Sequence, residues 1–141
     1  MASNGQLTGM RGVYLVAAEL SKLGFIASPT SRSAIGADIL VTDQRCSRAW
    51  SVQVKANAKT FTFWLLNSKA KEIVSSSHVY ALVNLRSGKT GDTVEYFIVP
   101  SQIVAERMVH DWSKAKTSEW FAIYRDKVLD YQNNWGLFLE A

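Results

Sequence analysis

Three polar residues within otherwise apolar, strand-like segments are the strongest candidates for chemistry in this sequence. Asp38 begins the apolar run DILV, and Gln53 and Lys55 alternate with valines in the run SVQVKA. Carboxylate and amide oxygens are hard ligands of the kind that Mg²⁺ prefers. A lysine beside such a metal can orient a water molecule or stabilise charge that grows on phosphate oxygens. These residue types therefore predict metal-assisted hydrolysis of a phosphate ester.

The alternation in the second run predicts which side chains share a face. Successive residues of a strand point to opposite sides of the sheet. Gln53 and Lys55 therefore lie on one face, while Val52 and Val54 lie on the other and enter the core. The two polar residues are about 7 Å apart along the strand.

The segment DQRCSR separates the two runs, at 36–42 and 49–56, and predicts a β-hairpin. If the hairpin closes with Thr42 opposite Ala49, Asp38 faces Gln53, with Cβ atoms about 5 Å apart. A slip of one residue would turn Asp38 to the opposite face. The chemistry therefore depends on this register.

A magnesium ion at this point needs further oxygen ligands, because glutamine is neutral. The main-chain carbonyl of Val54 is a candidate third ligand. Glu19 is the one acidic residue before the hairpin, and it borders the apolar stripe of the first predicted helix. We therefore expect Glu19 to supply a second carboxylate.

Periodicity predicts the elements that hold these residues. Apolar positions recur at spacings of three and four over residues 7–24, which is typical of an amphipathic helix. The segment TFTFWLL is compatible with either a strand or a loop. Further strands are predicted at 25–28, 78–85 and 94–100, and helices at about 67–75 and 101–116. This order predicts a single α/β domain over residues 1–141 with a mixed central sheet.

Composition is that of an ordinary globular domain, with 48% hydrophobic and 20% charged residues. A single cysteine, Cys46, excludes an intramolecular disulfide. The first residues, MASNGQLTGMRG, contain no apolar signal core, and about 18 consecutive apolar residues occur nowhere. We therefore expect a cytoplasmic protein that neither enters nor spans a membrane.

Positive charge is concentrated around the hairpin. Residues 30–71 contain seven basic and two acidic residues, whereas residues 92–141 contain five basic and eight acidic ones. Such a cluster is either a solvated basic face or a contact surface for nucleic acid phosphates. In the second interpretation, the residues expected to contact phosphates are Arg32, Arg45, Arg48, Lys59, Lys69 and Lys71.

The order helix, three strands, helix, strand, with GADILV leading to VQVKA, resembles the PD-(D/E)XK nuclease superfamily. The resemblance covers roughly residues 7–100. The glutamine in the second motif is similar to the variant in Mrr-type restriction enzymes, and Holliday-junction resolvases of the same fold are a second comparison. Two positions depart from the pattern: Ala37 stands where the motif has proline, and Gln53 where it has an acid.

The resemblance implies a restriction-endonuclease-like, three-layer α/β fold, with residues 101–141 as a helical and aromatic extension. Asp38 matches the metal-binding aspartate, Gln53 the second ligand, Lys55 the catalytic lysine and Glu19 the helix-borne acid. The implied activity is an endonuclease that hydrolyses DNA with Mg²⁺, for which Mn²⁺ can substitute, and that acts as a homodimer without an organic cofactor. The alternative is a catalytically weakened domain that binds nucleic acid or protein.

Aromatic residues near the hairpin leave a further question open. Phe61, Phe63 and Trp64 follow the second strand closely enough to stack on bases near the site. A place in the core or in a contact to a second copy is nevertheless the favoured interpretation. His78 and His110 have no zinc-like spacing to other ligands, and we interpret both as structural.

Overall fold

The computed structural model describes residues 1–31 and 36–139. Eight strands and two α-helices form in this part of the chain, joined by short 3₁₀-helices. Arg32 lies outside the described residues. The elements are α1 (Asn4–Lys22), β1 (Ile26–Pro29), β2 (Ile39–Thr42), β3 (Ala49–Asn57), β4 (Phe63–Leu66), β5 (His78–Gly88), β6 (Gly91–Pro100), α2 (Ser101–Arg107), β7 (Val109–Trp112) and β8 (Glu119–Tyr124).

The main sheet has the strand order β1-β2-β3-β5-β6. Strands β3 and β5 are parallel, and every other neighbouring pair is antiparallel. The connection between β3 and β5 contains β4 and the 3₁₀-helix Ser68–Lys71, which Asn67 caps by accepting a hydrogen bond from Lys69. The predicted mixed α/β sheet is confirmed.

Helix α1 covers one face of the main sheet. It begins three residues earlier than predicted because Ser3 and Gln6 form a capping box at its start. Val16 and Leu20 from the helix are fully buried against the valines of the sheet. The aromatic tail completes this layer, since Phe138 packs between Phe25 and Trp50 with ring centroids 5.3–5.8 Å apart.

A second sheet, in the order β4-β8-β7, covers the opposite face. The segment TFTFWLL supplies β4, and Trp64 from it is buried in the second core. Arg125, directly after β8, anchors this layer because its guanidinium donates two hydrogen bonds to Glu95 on β6, at 2.6 and 3.1 Å. The three layers are therefore α1, the main sheet and this second sheet.

The helix predicted over 101–116 is wrong in its second half. Helix α2 ends at Arg107, and Met108 has an extended backbone that leads into β7. In β7, His110 pairs with Phe121 on β8, and their rings stack with centroids 4.7 Å apart. Pairing with the next strand of the chain therefore outweighs the local helical pattern. Residues 109–124 belong to the layer that β4 begins and are not a helical extension.

Candidate active site

The β2–β3 hairpin has the predicted register. Its Cα partners run from Ile39 and Val52 to Thr42 and Ala49. Asp38 directly precedes β2, and its main-chain N–H donates a hydrogen bond to the Val52 carbonyl at 2.8 Å. The backbone therefore holds Asp38 beside the part of β3 that carries the other candidate residues.

The carboxylate of Asp38 contacts β3 through one oxygen. Its Oδ2 accepts a hydrogen bond from Gln53 Nε2 at 3.1 Å and another from the Val54 main-chain N–H at 2.8 Å. No described residue donates to Oδ1. In a β-strand the N–H and C=O of one residue point the same way, so the Val54 carbonyl lies at the same edge. Asp38, Gln53 and Val54 thus bring oxygen atoms to one place.

Lys55 lies on the same face of β3 as Gln53. Burial lowers the pKa of Lys55 below its ordinary value, and the negative charge of Asp38 opposes that shift. The Lys55 amine makes no hydrogen bond or ion pair with any described residue. Lys55 is therefore half-buried near a carboxylate and has no partner among the described residues, which is the state expected of a group that acts on a substrate.

A groove of about 340 Å³ opens on Asp38 and Gln53 from the side of α1. Thr30 forms part of its rim, and its N–H donates to the Asp38 carbonyl at 2.9 Å. Its hydroxyl donates to the Ala37 carbonyl at 2.5 Å. The segment after β1 is thus tied to the backbone of Asp38, which fixes the carboxylate relative to the groove.

The donor set fits a hard divalent cation. Asp38 has an oxygen to which no described residue donates, the Gln53 amide can rotate to present its oxygen, and Val54 offers a carbonyl. Mg²⁺ accepts a few such ligands and keeps several waters. Within residues 1–31 and 36–139, no three histidine, cysteine, aspartate or glutamate side chains are placed so that they could hold one metal ion. These ranges therefore contain no zinc-like cluster.

Glu19 is not brought to this site. Burial raises the pKa of Tyr96 on β6, and the nearby carboxylate of Glu19 adds to the rise. Strands β2 and β6 are separated by β3 and β5, which amounts to roughly 14 Å between Asp38 and that side of the sheet. The helix residues that line the groove with Asp38 include Gln6, Met10 and Val13. The side chains with polar atoms that α1 contributes there are therefore Gln6 and Tyr14.

The predicted phosphate contacts fall into two groups. Arg48 stabilises the hairpin end, because it lies over Trp50 at 5.1 Å and donates to the Phe138 carbonyl at 3.3 Å. Arg45 is exposed in the same turn, at the end of the hairpin opposite Asp38. The lysines at 59, 69 and 71 form the second group, which is exposed and lies outside that turn.

Of these lysines, Lys69 is nearest the candidate site, since it lines a small cavity together with Gln53 and Lys55. It also pairs with Glu72 at 3.3 Å. Lys71 donates to the Ala105 carbonyl at 2.9 Å.

Two neighbours of the site were not predicted to participate. Ser51 Oγ is hydrogen-bonded to His78 Nδ1 at 2.7 Å, and Tyr80 lies opposite Gln53 on β5. His78 and Tyr80 line the cavity beside Gln53 and are buried. Only the parallel pairing of β3 with β5 brings them there, and short-range periodicity contains no signal for that pairing.

Neither a family profile nor the sequence of a characterised protein matches this chain. Two nucleases are among the solved structures that are similar to it. The bacterial homing endonuclease I-Ssp6803I aligns with a TM-score of 0.55 and 11% identity, over 99% of this chain and 93% of its own. Hjc, a Holliday junction resolvase from the archaeal hyperthermophile Archaeoglobus fulgidus, aligns with a TM-score of 0.49 and 15% identity, over 82% and 89%.

No helix in the described part of the chain is long and apolar enough to cross a membrane. The likeness to the homing endonuclease extends over nearly the whole chain, and at this identity it defines the fold alone. The chain has the restriction-endonuclease-like α/β fold.

Proposed function

We propose that this chain is a metal-dependent nuclease that hydrolyses phosphodiester bonds in DNA. The observation that carries the proposal is the convergence of Asp38, Gln53 and the Val54 carbonyl at one sheet edge, with Lys55 beside them. The fold shared with a homing endonuclease supports the same class of substrate.

Each residue of the site has a distinct role in this proposal. Asp38, Gln53 and the Val54 carbonyl hold the cation, and when bound Mg²⁺ supplies a positive charge that polarises the phosphate oxygens. Lys55 donates hydrogen bonds to the attacking water or to the phosphate oxygens, where negative charge develops. Its reduced pKa, caused by burial, favours proton exchange at this position.

Exposed basic residues are proposed to bind the DNA backbone. Lys59, Lys69 and Lys71 are exposed, and phosphate contacts from such residues make binding strongly dependent on salt. A chain with one such site cuts one strand. We therefore propose a homodimer for double-strand cleavage, because two strands need two sites.

Cleavage assays with matched variants test the proposal. Plasmid, linear duplex and branched DNA are incubated with the full chain and either Mg²⁺ or Mn²⁺. Asp38→Asn and Lys55→Met are expected to lower cleavage by roughly 100-fold or more. Asp92→Asn and Lys89→Met, at the exposed β5–β6 turn, are the matched controls and are expected to cleave normally. Equal cleavage by all four variants would contradict the proposal.

One observation favours a second candidate, a nuclease-fold domain with weakened chemistry that binds nucleic acid. Asp38 is the one carboxylate that the described residues bring to the site, and the neutral Gln53 stands beside it. Titration calorimetry separates the candidates. DNA binding without detectable Mg²⁺ or Mn²⁺ binding, together with no cleavage of any substrate, would favour the binding domain.

A further inference from the structure

A second cavity, of about 210 Å³, lies on the other side of Lys55 from Asp38. Lys55 and Asn57 from β3 form one wall, and Phe61, Phe63 and Leu65 form much of the other. The cavity therefore adjoins the candidate active site, with which it shares Lys55. Its lining places Lys55 near the aromatic residues Phe61 and Phe63. A core with a purely structural role does not require a lysine at such a place.

The aromatic wall is open to solvent. Phe61 is 47% exposed and Leu65 is 60% exposed. The rings of Phe61 and Phe63 lie 5.6 Å apart between centroids, and Phe63 lies 5.6 Å from Tyr124. Trp64 differs, because it is buried and donates to the Val83 carbonyl at 3.0 Å. Trp64 therefore belongs to the buried core, whereas Phe61 exposes about half of its side chain to solvent.

The segment that carries Phe61 is held in place by its backbone. Arg86 donates through one guanidinium nitrogen to the Phe61 carbonyl at 3.1 Å and through another to the Lys59 carbonyl. Asn57 donates to the Phe63 carbonyl at 2.6 Å, so its amide oxygen remains available to accept a hydrogen bond. The ring and this acceptor are therefore prepositioned at the cavity.

We propose that this cavity binds one unpaired nucleobase of the DNA strand whose phosphate lies at Lys55. The inference rests on the proposed function, since that function directs a phosphate to Lys55. Aromatic side chains stack on the flat faces of bases with little sequence preference. Lys55 at one end and the exposed Lys59 near the other attract the phosphates on both sides of the stacked base.

This geometry distinguishes DNA with unpaired bases from fully paired DNA. In a regular duplex each base is already stacked and paired, so that filling the cavity requires energy for unstacking. A single-stranded, gapped or branched DNA offers an unpaired base without that cost. The site should therefore prefer unpaired over fully paired DNA, with Phe61 as the residue that carries the preference.

Binding without cleavage tests the inference directly. The probe is a mixed-sequence single-stranded oligonucleotide with 2-aminopurine at one position, compared with the same oligonucleotide annealed to its complement, in EDTA. Stacking on Phe61 should quench the 2-aminopurine fluorescence of the single strand. Phe61→Ala should weaken single-strand binding about 5- to 100-fold and abolish the quenching, while duplex binding changes less than twofold.

Companion variants keep the test decisive if Phe61→Ala alters the fold. Phe61→Trp should restore quenching and affinity, whereas Phe61→Leu keeps the apolar volume and should not. Leu129→Ala, another exposed apolar side chain, is the control and should bind as the wild type does. Thermal unfolding of each variant verifies that the domain is folded.

Three results would overturn the inference. The first is unchanged single-strand affinity in a folded Phe61→Ala variant. The second is equal weakening of single-strand and duplex binding. The third is a change of oligomeric state in that variant by light scattering, since the rings would then be covered by a second copy. Absence of DNA cleavage would reject the proposed function but not a positive stacking result, so the two failures are distinguishable.

Discussion

Gln53 donates a side-chain hydrogen bond to the carboxylate of Asp38 across the end of the β2–β3 hairpin, with 3.1 Å between Nε2 and Oδ2. The nitrogen of the amide therefore points to the carboxylate. For its oxygen to bind a metal, the amide must rotate by about half a turn about its last side-chain bond. The rotation breaks the hydrogen bond to Asp38 and turns the amide oxygen toward the metal.

Gln53→Glu is expected to strengthen metal binding and weaken the metal-free fold. Two adjacent carboxylates repel, and like charges in directly opposed positions of a sheet cost up to about 1 kcal/mol. A divalent cation removes that repulsion. We therefore expect Gln53→Glu to have a lower melting temperature than the wild type in EDTA and a larger increase in melting temperature when Mg²⁺ is added. Calorimetry should give the variant a lower dissociation constant for Mg²⁺.

Gln53→Met is the control, because it removes the hydrogen bond to Asp38 and adds no ligand. It should lose stability in EDTA without gaining a response to Mg²⁺. Equal Mg²⁺ affinities in the wild type and Gln53→Glu would mean that position 53 does not face the cation.

Lys55→Met is expected to stabilise the fold while it removes activity. Burial lowers the pKa of Lys55 more than Asp38 raises it, so the folded state disfavours the charged form relative to the unfolded chain. The resulting cost is present at neutral pH and decreases as the pH rises toward the unfolded value of about 10.4. Methionine keeps most of the volume without the charge.

Urea unfolding at pH 7 and at pH 9.5 measures this effect. The free energy of unfolding of Lys55→Met should exceed that of the wild type at pH 7, and the difference should shrink at pH 9.5. A Lys89→Met variant, at an exposed position, should show neither change. A less stable Lys55→Met protein at pH 7 would indicate that attraction to Asp38 dominates.

The hairpin that carries Asp38 and Gln53 was predictable because two short-range signals agree. Apolar alternation defines the buried face of each strand, and the polar turn leaves few choices of register. The position of Glu19 was not predictable in the same way. A period of 3.6 indicates which side of a helix is apolar. The position and angle of the helix on the sheet depend on the contacts between helix residues and strand residues.

Gly12 is one residue at which the helix and the sheet come close together. A Cβ at Gly12 would lie 2.7 Å from the Ala56 side chain and 3.3 Å from Val54, so α1 approaches β3 closely at this point. Gly12→Ala should therefore push the helix away from the strand that carries Gln53 and Lys55. We expect a loss of about 1–3 kcal/mol from overpacking, which exceeds the helix-propensity gain of about 0.5–1 kcal/mol.

Gly9→Ala is the matched control on the same helix. Nothing lies within 4 Å of a Cβ at this position, so only the helix propensity changes and stability should rise by about 0.5–1 kcal/mol. Chemical denaturation of both variants measures the two effects. Similar free energies of unfolding for Gly12→Ala and Gly9→Ala would contradict the close packing of α1 on β3.

The second sheet shows where short-range signals end. The helix interpretation of residues 101–116 failed because His110 and Trp112 are positioned by pairing with Phe121 and Glu119 on β8. These partners lie several residues farther along the chain. The apolar pattern of a short segment such as 109–116 is compatible with both the helical period of 3.6 and the strand period of 2. The contact between Ser51 and His78 has the same origin, since it depends on the parallel pairing of β3 with β5.

His78 should make the stability of the fold depend on pH just below neutrality. Burial lowers the pKa of His78 below 6.5, and hydrogen bonding to Ser51 partly opposes that shift. The unfolded chain therefore binds a proton at this residue below about pH 6.5, whereas the folded chain resists protonation. The free energy of unfolding is expected to fall as the pH decreases from about 6.5 toward the folded pKa.

Urea unfolding of the wild type and His78→Gln between pH 5 and 8 isolates this contribution, because every other titrating group is common to both proteins. The difference between their free energies of unfolding should be constant above about pH 7 and should move in favour of His78→Gln as the pH falls. Ser51→Ala keeps the main chain of Ser51, whose hydrogen bond favours the protonated ring, so the decline should persist in that variant. A difference independent of pH would mean that His78 titrates equally in the folded and unfolded states.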